Sequence, residues 1–326
     1  MPLLSLLALL GLIAFVFVRL GAFDLTATVA PPDGRSEEVV NTFAGVDHPF
    51  HATRAVTLLE SLREGRIPRW IGHHQGGYPA EFYPLGGAWI EVLIWSLLLS
   101  SLPILAVHKI AVIAIFLLPL LGFLLLARSD HLPLVVAVTA GAAHVSMPGG
   151  SFEGGAYSGG YRELVSWGLF TNVSAAVVVV LTMALLIRYV RKGGAWFGAL
   201  AASGAALGLA TNPRSGIALL ATGIATAMVL GMDRRGRGRA PVARRLCIVA
   251  GIAALLAAPL LVSLVRYNHL YHFVRYSGYR DIGDYVSASI SSVTLPVLVL
   301  GLVGAVWAYS APDRLAARVT ALTWLV

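Results

Sequence analysis

Apolar runs recur along this chain at nearly even intervals, and most approach the length of a membrane helix. A helix rising 1.5 Å per residue needs about 20 apolar residues to cross a bilayer's hydrocarbon core. Runs of this kind fall at 3–20, 103–127, 132–147, 173–190, 195–211, 214–232, 246–265 and 294–309. A ninth stretch, 86–101, is shorter and carries Glu91. The last run, Val319 to Val326, has eight residues after Arg318, too few to cross, and reads as a helix cut short in a longer protein. Segment 3–18 has the short apolar core of a signal peptide. It lacks a basic start and matches a cleavage site only loosely at Thr28-Val29-Ala30, so it reads as an uncleaved first span.

Composition makes the pattern decisive. The chain is 57% hydrophobic and 12% charged over 326 residues, where soluble domains carry about 25% charged residues. With one cysteine, Cys247, and a mean hydropathy of +0.78, it is neither a disulfide scaffold nor a disordered segment. The expected fold is an all-α, polytopic transmembrane helix bundle, a single transmembrane domain over 1–326. Three polar regions interrupt it: 21–84, a Gly-rich 148–172, and 266–293 with its Tyr, Arg and His.

The net charge of +8 changes meaning once it is read by position. Arg188, Arg191 and Lys192 flank one turn, the Arg234–Arg245 run another, and Arg314 with Arg318 a third. Placing all three in the cytoplasm satisfies the positive-inside rule and makes a membrane anchor, not nucleic acid, the partner of the arginines. Residues 148–172, Asn212-Pro213-Arg214 and 266–293 then share the outer side, and Arg128-Ser129-Asp130-His131 lies inside. Residues 21–84 fall in the cytoplasm if 86–101 crosses, or outside if 86–101 only dips in. The cost of a carboxylate such as Glu91 in lipid favours the second arrangement.

The first loop holds the densest candidate chemistry. In Asp47-His48-Pro49-Phe50-His51-Ala52-Thr53-Arg54, proline suits a first helical turn, and Gly65 with Pro68 closes the element. Ala55, Leu58, Leu59 and Leu62 recur at helical spacing between these limits, which predicts a short amphipathic helix suited to a membrane surface. Asp47 stands just before its N-terminus, where the helix dipole favours a carboxylate serving as base or cation ligand. Simple helix capping is the alternative. Trp70, Tyr78, Tyr83 and Trp89 fit an interfacial aromatic belt as well as a binding surface. His48, His51, His73 and His74 match no zinc spacing. His108-Lys109 reads as snorkelling, Gly204-x-x-x-Gly208 as close helix packing, and Asn172-Val173-Ser174 as a sequon by pattern only.

Elsewhere the second loop offers Glu153, with Arg162 and Glu163 beyond it, and no Asp-x-Asp follows. Arg214 opens a helix, a position that attracts phosphate. In the third loop Arg266 and Arg275 alternate with aromatics, followed by Arg280, Asp281 and Asp284, a pattern that suits phosphate and sugar or an anionic lipid interface equally.

Asp-His-x-Phe-His-x-x-Arg, a short helix, Gly-x-Ile-Pro-x-Trp, Gly-Gly-Tyr-Pro and Phe-Tyr-Pro-Leu together resemble the first outer loop of GT-C-type membrane glycosyltransferases. The pattern is closest to the bacterial membrane proteins labelled 6-pyruvoyl-tetrahydropterin-synthase-related, and covers about residues 45–90. The resemblance implies an enzyme of a bacterial-type plasma membrane, working on the extracytoplasmic face. It would move a sugar from a polyprenyl-phospho-sugar donor to a glycan, lipid or protein acceptor of the cell envelope. Asp47 matches the family's first-loop acid, a base or metal ligand, and Glu153 falls where relatives carry a second acid. His48, His51, Arg54, Tyr78, Tyr83, Glu91, Arg162, Arg214, Arg266 and Arg275 are the expected substrate-binding set. A divalent cation, magnesium or manganese, is the cofactor such an enzyme would use. A lipid or solute transporter or flippase, and a non-catalytic subunit of an envelope assembly, are the rival readings.

Overall fold

The computed structural model describes residues 2–29, 36–72, 77–80, 83–148, 160–231, 239–267, 281–311 and 313–325. Glu153, Arg275, Arg280, His73 and His74 lie outside them.

Helices dominate. α1 (Pro2–Arg19) leads into two short antiparallel strands, β1 (Thr26–Val29) and β2 (Glu37–Val40), with Thr26 opposite Val40. The first-loop helix α2 (His48–Arg63) follows, then the strand pair β3 (Trp70–Ile71) and β4 (Tyr78–Pro79). Next come α3 (Gly86–Leu98), α4 (Ile104–Leu117), α5 (Pro119–Ser129), α6 (Leu134–Ser146) and a π-helical turn (Arg162–Ser166). The chain continues through α7 (Phe170–Lys192), α8 (Ala195–Thr211), α9 (Ser215–Gly231), α10 (Arg239–Tyr267), α11 (Ile282–Val293), α12 (Leu295–Ser310) and α13 (Leu315–Leu325).

Among the described residues three helical stretches are long and apolar enough to cross a bilayer: Ile104–Ser129, Phe170–Lys192 and Pro241–Arg266. The chain is a membrane protein. α4 and α5 form the first of these stretches because Pro119 sits at the start of α5, where its missing N–H costs little. The Leu118 amide still reaches the Ala114 carbonyl, so the axis continues. Each of the other apolar runs read from the sequence is also helical, but 17–18 residues or shorter: α1, α6, α8, α9 and α12. Many of their large apolar side chains point away from protein. Leu300, Leu302, Val303 and Val306 of α12 are all more than 60% exposed, a surface that lipid tails would cover.

Three contacts fix α7 parallel to the α4–α5 rod, start beside start and end beside end. The Phe170 ring lies 5.6 Å from the His108 ring, Gly122 packs on Val180, and Arg191 Nη1 donates to the Ser129 carbonyl at 2.7 Å. The bundle therefore has one end marked by Phe170 and His108 and another marked by Arg191. α8 runs back from the arginine end, bringing Thr211 to the Phe170 end.

α3 starts at that same end, because Gly86 packs on the backbone of Ala210 and Thr211, and Gly87 on Thr171 and Phe170. Five residues beyond its last turn, α4 begins there too. Both ends of α3 thus lie at one end of the bundle. Its 13 residues make a helix roughly 20 Å long, shorter than a bilayer's hydrocarbon core. α2, α3, the π-helical turn and the starts of α4, α7 and α9 all gather at the Phe170 end.

At the arginine end a single carboxylate organises the turns. Asp130, 2% exposed, accepts from Arg191 Nη1 at 3.1 Å and from the amides of Ala316 and Ala317 at 3.0 and 2.8 Å. Its carbonyl takes a bond from Arg314. Asp130 is thereby the N-terminal cap of α13, delivered from the α5–α6 turn. Arg245 donates to the carbonyls of Tyr189 and Val190 in the last turn of α7, where helix carbonyls run short of intrahelical donors.

Candidate functional site

The apolar stripe predicted for the first-loop helix is present, and it is covered by protein. Ala55, Leu58 and Leu59 of α2 pack with Ala88 and Val92 of α3, with Leu62, Trp89, Trp95 and Ile104 at the margin. A membrane-surface orientation was expected for this stripe. Instead α3 and α4 take the place of lipid beneath it, since both lie against α2 at the Phe170 end. The stripe also continues backwards through polar residues. Counting one and two turns from Ala55 reaches His51 and His48, and both are buried. That phase is the signal in the sequence that marks these histidines as inward-facing.

The start of α2 is stitched to the second loop by its main chain. The Asp47 amide donates to the Trp167 carbonyl at 2.8 Å. Two glycines allow the approach. A Cβ at Gly45 would lie 2.0 Å from the Ser166 carbonyl oxygen, and one at Gly168, whose φ is +74°, would lie 2.5 Å from the His48 nitrogen. Asp47 occupies the N-cap position, but its side chain makes no capping bond. The half-buried carboxylate instead acts electrostatically on Tyr83, in opposition to Arg54.

Below Asp47 lies a chain of buried polar groups. His48 Nε2 is 3.0 Å from the Val165 carbonyl, His48 Nδ1 is 2.9 Å from His108 Nε2, and His108 Nδ1 is 3.0 Å from Glu91 Oε1. All three side chains are fully buried. The chemistry of each atom settles the protons. A carbonyl only accepts, so His48 Nε2 carries hydrogen. Burial, reinforced by His108, pushes the His48 imidazole down to about 4, so it is neutral and its Nδ1 accepts. His108 Nε2 must then donate. One further proton lies between His108 Nδ1 and Glu91 Oε1, on either atom. The chain Val165–His48–His108–Glu91 is complete with three protons, and a fourth or a missing one breaks a bond. Glu91 Oε2 is buried without a hydrogen-bond partner. His51 is also held neutral, down to about 3, by burial first and then by His108 and Arg54.

Beside this chain stands a buried cation. Arg54, 2% exposed, donates from Nη1 to the Tyr78 hydroxyl at 2.7 Å and from Nη2 to the carbonyls of Tyr83 and Pro84. Its guanidinium lies 5.4, 5.7 and 4.9 Å from the rings of Phe50, Tyr78 and Tyr83. Among the described residues no carboxylate forms an ion pair with it. Such a cage uses the planar donors of arginine and the faces of aromatic rings together. The Tyr83 hydroxyl bonds to Thr171 Oγ1 at 2.8 Å, and burial holds its phenol above the ordinary range. Next to Thr171, Asn172 Oδ1 accepts from Asn212 Nδ2 at 2.6 Å, and Asn212 Oδ1 accepts from the Arg214 amide at 3.0 Å. Hydrogen bonds therefore lead from Arg54 through Tyr83 to Thr171 at the start of α7, and from its neighbour Asn172 through Asn212 to the main chain of Arg214 at the start of α9.

The expected site residues separate into three groups. Asp47, Tyr78 and Tyr83 are partly exposed at the Phe170 end, with Arg214 exposed close by. His48, His51, Arg54 and Glu91 lie beneath them, at most 4% exposed, and His48, Arg54 and Glu91 have hydrogen-bond partners inside the protein. Arg162 is exposed on the π-helical turn, and Arg266 is exposed at the end of α10; neither joins this cluster. Asp281 caps α11 through the Asp284 amide at 2.9 Å. Glu163 is 1% exposed. The sequence reading missed His108, which is the centre of the buried chain and not a snorkelling side chain. It also missed Thr171, which carries no motif, and read Asn172 only as the start of a sequon pattern. No three His, Cys, Asp or Glu side chains converge as a metal site among the described residues.

Comparison with family models, with curated proteins and with solved structures finds no match to this chain.

Proposed function

We propose that the chain is a membrane glycosyltransferase of GT-C type that takes a sugar from a polyprenyl-phosphate donor at the Phe170 end, on the extracytoplasmic side. The observation that supports this most is Asp47. It is a half-exposed carboxylate at a helix N-terminus, unused as a cap and fixed through its own backbone to the second loop. A buried cation and two tyrosines stand beside it.

In the reaction, Asp47 accepts the proton of the acceptor hydroxyl as that oxygen bonds to the sugar's anomeric carbon. The bond from that carbon to the phosphate oxygen breaks, and polyprenyl phosphate leaves with the electron pair. General-base help of this kind is worth about 10²–10⁴-fold. Arg214, with the start of α9, is the partner for the departing phosphate. Tyr78 and Tyr83 offer ring faces and hydroxyls to the sugar. The described residues supply no ligand set for a divalent cation, so no step is routed through one. Arg162, Arg266 and the two residues beyond the described segments, Glu153 and Arg275, stay candidates for acceptor contacts.

The test is transfer from undecaprenyl-phosphate-linked radiolabelled glucose, mannose and arabinose in membranes carrying the full chain. Asp47→Asn should lower product formation by about 100-fold or more while the protein level holds. Normal product from that variant would overturn Asp47 as the base, and movement of labelled lipid across the membrane without any new glycosidic product would turn the assignment towards a transporter.

A further inference from the structure

The buried chain ends at a backbone carbonyl. Val165 O accepts one proton and can pass none on, so Glu91, His108 and His48 do not form a path for delivering protons to a substrate. They connect four elements instead: α3 through Glu91, α4 through His108, α2 through His48, and the π-helical turn through Val165. His48 is the residue after Asp47, and the next main-chain bond along, from Asp47 to Trp167, ties the same two loops again. Burying three polar side chains at one spot costs free energy that an apolar core would not. What the polar chain supplies is direction: each ring has one orientation and one tautomer that satisfy both neighbours.

We infer that Glu91 and His108 are positioning residues, which hold His48 in a single ring orientation and thereby set the Asp47 carboxylate against the second loop. Naming Asp47 as the group being set rests on the glycosyltransferase reading; the fixed state of His48 does not. The chain also defines which replacement preserves it. A glutamine at position 91 can turn its amide N–H to His108 Nδ1, which leaves His108 Nε2–H free to donate to His48. An alanine there leaves His108 without its anchor.

The experiment uses nitrogen-15 histidine spectra of the full chain in detergent micelles, with the His48 signals assigned by their loss in His48→Gln. The wild type should show one His48 tautomer, protonated at Nε2 and hydrogen-bonded at an unprotonated Nδ1. Glu91→Gln should keep that signature, and Glu91→Ala and His108→Asn should each lose it, giving mixed tautomers. A His48 signature unchanged in His108→Asn, or equally lost in Glu91→Gln and Glu91→Ala, overturns the inference. His108→Asn changes little volume, so the contact can be read even where Glu91→Ala does not accumulate as folded protein.

Transfer provides the second readout. Misplacing a reacting group by about 1 Å can cost about 100-fold. His108→Asn should lower kcat by about that factor with KM within about twofold, and Glu91→Gln should recover much of what Glu91→Ala loses. A rise in KM at constant kcat would show that the chain shapes binding and not Asp47, and would overturn this part. If Asp47→Asn itself transfers normally, the role given to Asp47 fails, and if no transfer is found in the wild type the glycosyltransferase reading fails, while the His48 spectra still decide whether the chain holds the ring.

Discussion

His48 and His108 meet edge to face, their planes 79° apart and their facing nitrogens separated by 2.9 Å. This contact joins a loop helix to a membrane helix across 60 residues of sequence. It also sits where burial is complete, so neither nitrogen has water as an alternative partner. The energetic consequence is asymmetric, because removing one partner strands the other.

His108→Ala should therefore destabilise the protein by more than the loss of one ordinary hydrogen bond. It leaves His48 Nδ1 and Glu91 Oε1 buried and unpaired, each at about 1–3 kcal/mol. Thermal unfolding in micelles should show a clear fall in Tm, and the double variant His108→Ala with Glu91→Ala should recover part of it. A double variant less stable than the simple combination of the single changes would contradict this account.

The two histidines of α2 also give the first loop a signed pH dependence. Both are neutral when folded, with His48 lowered to about 4 and His51 to about 3 from an ordinary 6.5. The unfolded chain takes up protons first as pH falls, so the stability these groups contribute is present above about 6.5 and lost on the way down to 4 and then 3. For His48 the gap corresponds to about 3 kcal/mol. Hydrogen exchange over His48–Arg63, corrected for its intrinsic pH dependence, should speed up between pH 6.5 and 4.5. Protection that stays level over that window, or that falls just as steeply in His48→Gln, would rule this out.

How far the sequence displays this site depends on the range of each interaction. Apolar runs report on burial by lipid or protein alike, and so every run appears as a helix, while their lengths do not reveal that α3 turns back. What locates the start of α3 at the Phe170 end is Gly86 packing on Ala210, a contact across more than a hundred residues. Asp47, Arg54, Tyr78 and Tyr83 are near neighbours in sequence and were legible as a cluster. Their partners His108, Thr171 and Val165 are not, because a histidine one turn into an apolar helix looks the same whether it snorkels or binds. The helical phase of α2 did carry information: the stripe through Ala55 and Leu58, extended backwards, falls on His51 and His48 and places them inward.

Arg54 shows why a charge-conserving substitution need not conserve structure. Its guanidinium uses two nitrogens for three oxygens while facing three rings, an arrangement that an ammonium group cannot copy. Arg54→Lys should be about as damaging as Arg54→Met, costing a few kcal/mol, since either leaves the Tyr83 and Pro84 carbonyls without their donor. Cleavage by an added protease within residues 64–85 should rise in both variants. A lysine variant with wild-type resistance would show that charge alone holds this loop.

At the opposite end, Asp130 makes the attachment of α13 testable. Its carboxylate binds two amides of the first turn of α13 and Arg191 of α7 at once, and it is 2% exposed. Asp130→Ala removes a helix cap worth about 1 kcal/mol and also leaves Arg191 without its carboxylate. Asp130→Asn keeps an acceptor oxygen but offers an N–H₂ group where the second acceptor stood, so it should fall between alanine and the wild type. Exchange protection over Leu315–Leu325 should decrease in the order wild type, Asn, Ala, while the segment His48–Arg63 at the far end stays unchanged. Loss of protection at both ends together would mean that Asp130 supports the whole bundle and not the docking of one helix. Equal protection of α13 in all three proteins would mean that its apolar packing against α9, with Ala316 and Val319 in the shared core, holds it without the cap.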